Sequence, residues 1–83
     1  MNYKLEVTRR AEKDLRQIHE KDALRIYKAI MALKAGLTGD VKKLVNHEPE
    51  YRLRVGEWRV LFDVEADTIV IGRILDRKEA YRG

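Results

Sequence analysis

Arg52, Arg54 and Arg59 are the residues of this 83-residue chain best placed by type and spacing to do chemistry. A guanidinium is a planar fork of donors that matches two phosphate oxygens at once, so clustered arginines suit an anionic substrate. The three sit in the segment Tyr51-Arg52-Leu53-Arg54-Val55-Gly56-Glu57-Trp58-Arg59-Val60-Leu61-Phe62, with apolar residues at 51, 53, 55, 58, 60 and 62. A period of two on both sides of Gly56-Glu57 predicts a β-hairpin closed by a type II′ turn. That register sets Val55 opposite Trp58, Arg54 opposite Arg59 and Leu53 opposite Val60. Two arginines then face each other on the polar side, with Arg52 two residues along. Like charges so opposed cost roughly 0.2–1 kcal/mol, and a chain that keeps them points to use on an anion, with phosphate the leading candidate. The plain alternative is a solvated basic surface whose long stems cover apolar area.

Other kinds of site are missing from the sequence. There is no cysteine, only two histidines (His19 and His47), no glycine-rich phosphate loop, no metal-ligand spacing and no nucleophile triad. No metal and no cofactor is expected. His19, near the end of a helical segment, reads as a surface residue favoured by the helix dipole. His47 and Glu57 are the local candidates for a general base, and the imidazole has the better intrinsic pKa. Neither is assigned that role. Lys42 and Lys43 precede the hairpin and can border whatever binds it.

The elements that position these residues follow from periodicity. Residues 2–7 alternate, with Tyr3, Leu5 and Val7 on one side, as in a strand. Thr8 is placed to cap a helix over 9–20 with the stripe Ala11, Leu15 and Ile18, and Asp22 to cap a second over 22–35 with Ile26, Ile30 and Leu33. Gly36 suits a left-handed stop. Residues 39–50 read as the one long irregular stretch, and a second hairpin turns near Glu65-Ala66-Asp67. The order β-α-α-β-β-β gives an α+β fold: one antiparallel sheet with an N-terminal helical hairpin packed on one face. Pairing Val64 with Ile69 sets Leu61 opposite Gly72 and Arg59 opposite Ile74. Arg73 then falls on the helix-covered side unless Gly72 forms a bulge or Arg73 lies beyond the rim of the helices; without a bulge, Gly72 leaves a shallow place on the arginine face.

The 18 Lys and Arg against 14 Asp and Glu give a net charge of +4 and a pI near 9.5, compatible with nucleic acid or with an acidic protein. No apolar run approaches membrane-spanning length, and no signal peptide is legible. The expectation is a single cytoplasmic domain, 1–83, with no membrane association.

The chain resembles the RelE/ParE superfamily, the toxins of type II toxin–antitoxin modules. The likeness rests on an extended Tyr-x-Leu-x-Val, on Thr8, Ala11, Asp14 and Leu15, on Val41-Lys42-Lys43-Leu44, on Tyr51 through Val60, and on Arg77-Lys78-Glu79-Ala80-Tyr81-Arg82. It implies a RelE-like, microbial-RNase-type fold. It also implies a ribosome-dependent, metal-independent endoribonuclease that cuts mRNA in the decoding site, inhibits translation and is held by an acidic, partly disordered antitoxin in a hetero-oligomer. By that resemblance Arg54, Arg59, Arg77 and Tyr81 are catalytic, and Lys42, Lys43, Arg52 and Lys78 bind RNA. Arg59 and Arg77 would stabilise charge on a pentacoordinate phosphate, while Tyr81 would protonate the leaving 5′-oxygen or stack on a base. Some relatives carry lysines where this chain has Arg52 and Arg54. A lysine can act as a base, whereas an arginine keeps its proton. Two other readings remain: a ParE-like toxin that poisons DNA gyrase without cutting RNA, and a basic RNA-binding module without catalysis.

Overall fold

A computed structural model describes residues 2–45 and 48–80. Its elements are β1 (Lys4–Val7), α1 (Arg9–Arg16), α2 (Glu20–Leu33), β2 (Val41–Lys43), β3 (Tyr51–Val55), β4 (Trp58–Glu65), β5 (Thr68–Asp76) and a one-turn helix, α3 (Arg77–Ala80). The five strands form one sheet in the order β1-β5-β4-β3-β2.

Thr8 starts α1 as its type predicts: it is extended, and its hydroxyl oxygen accepts from the Ala11 N–H at 3.2 Å. The helix is shorter than the apolar stripe suggests. It stops at Arg16, and His19 rather than Asp22 caps α2, its Nδ1 accepting from the Lys21 N–H at 3.3 Å. Beginning α2 at Glu20 leaves Asp22 in the first turn, where a carboxylate is favoured by the helix dipole. There it accepts a 3.2 Å hydrogen bond from Trp58 Nε1 and ties the helix to the β3–β4 hairpin. At the far end Gly36 is nearly extended at φ 157°, and Leu37 takes the left-handed conformation at φ 55° in its place.

The sheet is mixed rather than wholly antiparallel. The two helices carry the chain from β1 to the opposite edge, so β1 has no sequence neighbour to pair with. It lies parallel to β5, Leu5 opposite Ile69 and Val7 opposite Ile71. The stretch expected to be irregular contains β2, in which Val41, Lys42 and Lys43 pair with Leu53, Arg52 and Tyr51. With a single apolar residue in three, this strand has no period to read.

The β3–β4 register is the one the sequence predicts, with Arg54 opposite Arg59. The β4–β5 register begins as predicted at Val64 and Ile69 and then shifts between Leu61 and Phe62. Phe62 pairs with Ile71 and Leu61 with Arg73, which makes Gly72 the bulged residue. Its carbonyl accepts from the Thr8 hydroxyl at 3.1 Å. Past the bulge Arg59 lies opposite Leu75, not Ile74, and Arg73 pairs with Leu61 while its guanidinium reaches Asp14 of α1.

The core lies between the helices and one face of the sheet: Ala11, Ile26, Ile30 and Leu33 against Leu53, Val60, Phe62, Ile69, Ile71 and Ile74. Each fully buried large side chain contributes about 1.5–3 kcal/mol relative to exposure. Tyr51 stacks on Phe62 with centroids 5.3 Å apart. Among the described residues no helix is long and apolar enough to cross a membrane.

Candidate functional site

Residues paired across neighbouring strands project to the same side of a sheet. Leu53, Val60 and Ile74 point toward the helices, so the intervening residues form the other face. One row across it runs Lys42, Arg52, Leu61, Arg73; the next runs Arg54, Arg59, Leu75. Asp40 extends the second row beyond the end of β2, its carbonyl accepting the Arg54 N–H at 3.0 Å. The fold therefore brings Lys42, Arg52, Arg54 and Arg59 together on one face. Lys43, paired with Tyr51, projects to the other side and is separated from them.

The arginines differ in what they meet. Arg54 has a side chain 57 % exposed, with Nε 3.9 Å from Asp40 Oδ2. The Arg52 side chain is 13 % exposed, and its Nη2 lies 3.4 Å from Asp40 Oδ1. Arg59 departs from expectation. It is buried, 4 % exposed, and its Nη1 donates to the carbonyls of Gly56 at 2.8 Å and Trp58 at 3.0 Å. Its guanidinium is turned back along its own turn instead of projecting from the face.

Arg77 and Lys78 are exposed at the start of α3. The chain docks there because the Arg77 N–H donates to the Glu57 carbonyl at 2.8 Å and Asp76 Oδ1 accepts from the Lys78 N–H at 2.9 Å. A cleft of about 410 Å³ lies among Glu57, Asp76, Arg77 and Lys78. Tyr81 and His47, singled out from the sequence, lie outside the described residues.

Two carboxylates that sequence reasoning gave no site role complete the picture. Asp40 serves Arg52 and Arg54; it would have been visible by counting back from Lys42, had β2 been legible. Asp14 on α1 receives Arg73 Nε at 2.8 Å, Arg73 Nη2 at 3.3 Å and the Ile74 N–H at 3.0 Å. Burial pushes the Asp14 carboxyl up. The hydrogen bonds from Arg73 and Ile74, with the charges of Arg73 and Arg10, outweigh it and hold the group below its ordinary value. The hydrogen bond to Asp14 raises the Arg73 guanidinium in turn. Beside this pair a cleft of about 220 Å³ includes Asp14, Trp58, Asp76 and Glu79, and is acidic rather than basic.

Chemically, the face offers paired guanidinium groups for phosphate oxygens, an adjacent lysine, and two further exposed cations at the hairpin end. Among the described residues no three His, Cys, Asp or Glu are grouped to hold a metal ion.

The family model for the ParE toxin of type II toxin–antitoxin systems (parDE) matches residues 5–81. Toxin RelE3 of Methanocaldococcus jannaschii is 43 % identical over 42 residues, which cover 51 % of this chain and 48 % of that protein. The chain thus matches about half the length of that relative. Among solved structures, the RelB–RelE antitoxin–toxin complex of Methanococcus jannaschii contains a chain 30 % identical with a TM-score of 0.78, over 92 % of this chain and 94 % of that one. The RelBE2 toxin–antitoxin complex of Mycobacterium tuberculosis gives a TM-score of 0.80 at 22 % identity, covering 93 % and 100 %, a likeness of fold.

Proposed function

The chain belongs to the ParE toxin family of type II toxin–antitoxin systems, within the RelE/ParE superfamily, and on that premise we propose that it is a ribosome-dependent endoribonuclease that cuts messenger RNA in the decoding site. The observation that carries this reading is the face turned away from the helices, where Lys42, Arg52 and Arg54 stand in adjacent rows with Arg77 and Lys78 exposed beyond the hairpin turn.

Cleavage of RNA by its own 2′-hydroxyl needs three things. The hydroxyl proton must leave, the charge that builds on the pentacoordinate phosphate must be stabilised, and the departing 5′-oxygen must take up a proton. The P–O5′ bond breaks as the P–O2′ bond forms, leaving a 2′,3′-cyclic phosphate. Arg54 and Arg77, both exposed, are assigned to the phosphate, because cations fixed where charge develops lower the barrier most. Arg52, less exposed, adds a second guanidinium on the same face and meets the same Asp40 carboxylate. Arg59, buried on the Gly56 and Trp58 carbonyls, positions the turn rather than touching substrate. Tyr81 is assigned to the leaving oxygen by resemblance. The shallow face holds few groups that would fix a flexible strand, so the ribosome supplies the alignment.

The partner in this reading is an acidic antitoxin, partly disordered when free, that folds over the basic face and forms a hetero-oligomer with the toxin in the cytoplasm. The test is primer extension on cellular mRNA after induction of the chain alone. Growth arrest with cuts inside translated codons is expected, and purified protein should cut naked RNA far more slowly than ribosome-bound RNA. Arrest accompanied by a DNA-damage response and intact mRNA would overturn the nuclease assignment.

That last outcome belongs to a second reading, a ParE-like toxin acting on DNA gyrase. It is favoured by the internal engagement of the arginines: Arg52 and Arg54 share Asp40, Arg59 bonds backbone carbonyls and Arg73 bonds Asp14. A face balanced in this way suits docking onto a protein.

A further inference from the structure

We propose that Arg52 and Arg54 form a seat for a single phosphate group and that the Asp40 carboxylate is its internal occupant, so that Asp40 sets how tightly the seat takes an external anion. The inference rests on the reading that this face meets RNA phosphates, and adds which residue competes with them.

The carboxylate spans the two guanidinium groups as two phosphate oxygens would, Oδ1 toward Arg52 Nη2 at 3.4 Å and Oδ2 toward Arg54 Nε at 3.9 Å. Both distances exceed the 2.7–2.9 Å of a tight charge-assisted hydrogen bond. The contact is loose, and the Asp40 side chain is 56 % exposed, with solvent to turn into. Its backbone is fixed independently, because the bond to the Arg54 N–H uses the carbonyl. The side chain can therefore swing away without undoing the strand pairing.

The seat is suited to an anion larger than a carboxylate. Arg52, 13 % exposed, supplies a charge shielded from water, where attraction is stronger than at the open surface. Arg54 supplies one open to an incoming group. Lys42, directly across from Arg52, adds a third cation on the same face. A tetrahedral phosphate entering from solvent takes the position of the Asp40 oxygens, and the displaced carboxylate remains close enough to repel it. Asp40 thereby weakens binding of stray anions and preserves the arrangement of both guanidinium groups.

Inorganic phosphate, titrated into the full-length chain at low ionic strength, tests this through arginine side-chain and β2–β3 amide NMR shifts. Asp40→Asn keeps the shape and removes the charge. It should bind phosphate about fivefold tighter than the parent, the size of one exposed ion pair, with shifts centred on Arg52 and Arg54. Adding Arg54→Ala should remove those shifts. Asp40→Ser, which keeps the backbone carbonyl, serves as a second variant should the asparagine form melt early. Equal affinity in the parent and the folded variants, or shifts centred on Arg77 instead, would overturn the seat. Tighter phosphate binding without mRNA cleavage would support the seat and sink the nuclease reading. In-codon cleavage with unchanged phosphate affinity would sink the seat alone.

Discussion

Arg54 and Arg59 lie directly opposite each other across the β3–β4 ladder, yet the first is exposed and the second is 4 % exposed. Two guanidinium groups coexist there because they turn apart. One leans toward Asp40, and the other folds back onto the carbonyls of Gly56 and Trp58. The cross-strand repulsion expected for such a pair is thus relieved by orientation.

Arg59→Ala should destabilise the protein by about 2 kcal/mol, because it removes a buried side chain and leaves two carbonyls without a charged donor. For a domain of this size that is a fall in Tm of about 8–16 °C. Thermal denaturation checks it. A Tm within 2 °C of the parent would show that the buried arginine is structurally idle.

Arg54→Ala should do the reverse. Its exposed side chain makes its removal neutral within about 0.5 kcal/mol. If the arginine holds the reacting phosphate, mRNA cleavage should drop about 10²–10³-fold, the usual effect of losing one preorganised donor. Melting and primer extension on the same preparation separate the two effects, and a folded variant that cuts normally would remove Arg54 from the mechanism.

Asp14 makes stability depend on acid. Its pKa is lower in the folded state than the unfolded value of about 3.9. Its contribution is therefore complete above about pH 4–5 and is lost as pH falls through the lower folded value. Asp14→Asn should cost about 1 kcal/mol at neutral pH, discounted because the Arg73 side chain is one-third exposed. The Tm difference between parent and variant should hold steady from pH 5 to 8 and close below about pH 4. A difference that persists at pH 2.5 would mean that the carboxylate charge does not contribute.

Tyr81→Phe separates two roles for the tyrosine. A proton donor predicts loss of cleavage with the hydroxyl, whereas a stacking ring predicts an active Phe variant and an inactive Ala variant. Single-turnover cleavage of ribosome-bound mRNA distinguishes them.

Much of this architecture was legible from period alone. The hairpin register, the Thr8 cap and the core stripe Ile26, Ile30, Leu33 all follow from local rules, and all are present. What was not legible depended on partners far along the chain. The parallel pairing of β1 with β5 is set by where two helices deliver the chain, and no residue in either strand encodes it. The burial of Arg59 is decided by backbone carbonyls within reach of its guanidinium, which a face-by-face count treats as solvent. The acidic partners were hidden for the same reason. Asp40 lies just before a strand too short and too polar to show a period, and Asp14 meets an arginine 59 positions away. Gly72 was the exception: a bulge there was one of two stated ways to resolve the place of Arg73, and the bulge is present.

The parallel pairing of β1 with β5 also fixes when the protein can become itself during synthesis. β1 is synthesised well before its partner, which spans Thr68–Asp76. Until that strand is exposed the N-terminal strand has no ladder, Asp14 lacks Arg73, and the core lacks Ile69, Ile71 and Ile74. Contacts this distant in sequence form late, because closing the intervening loop comes first. The sheet therefore closes only when β5 zips in between β1 and β4, whereas β2, β3 and β4, which carry Lys42, Arg52 and Arg54, pair with one another without it.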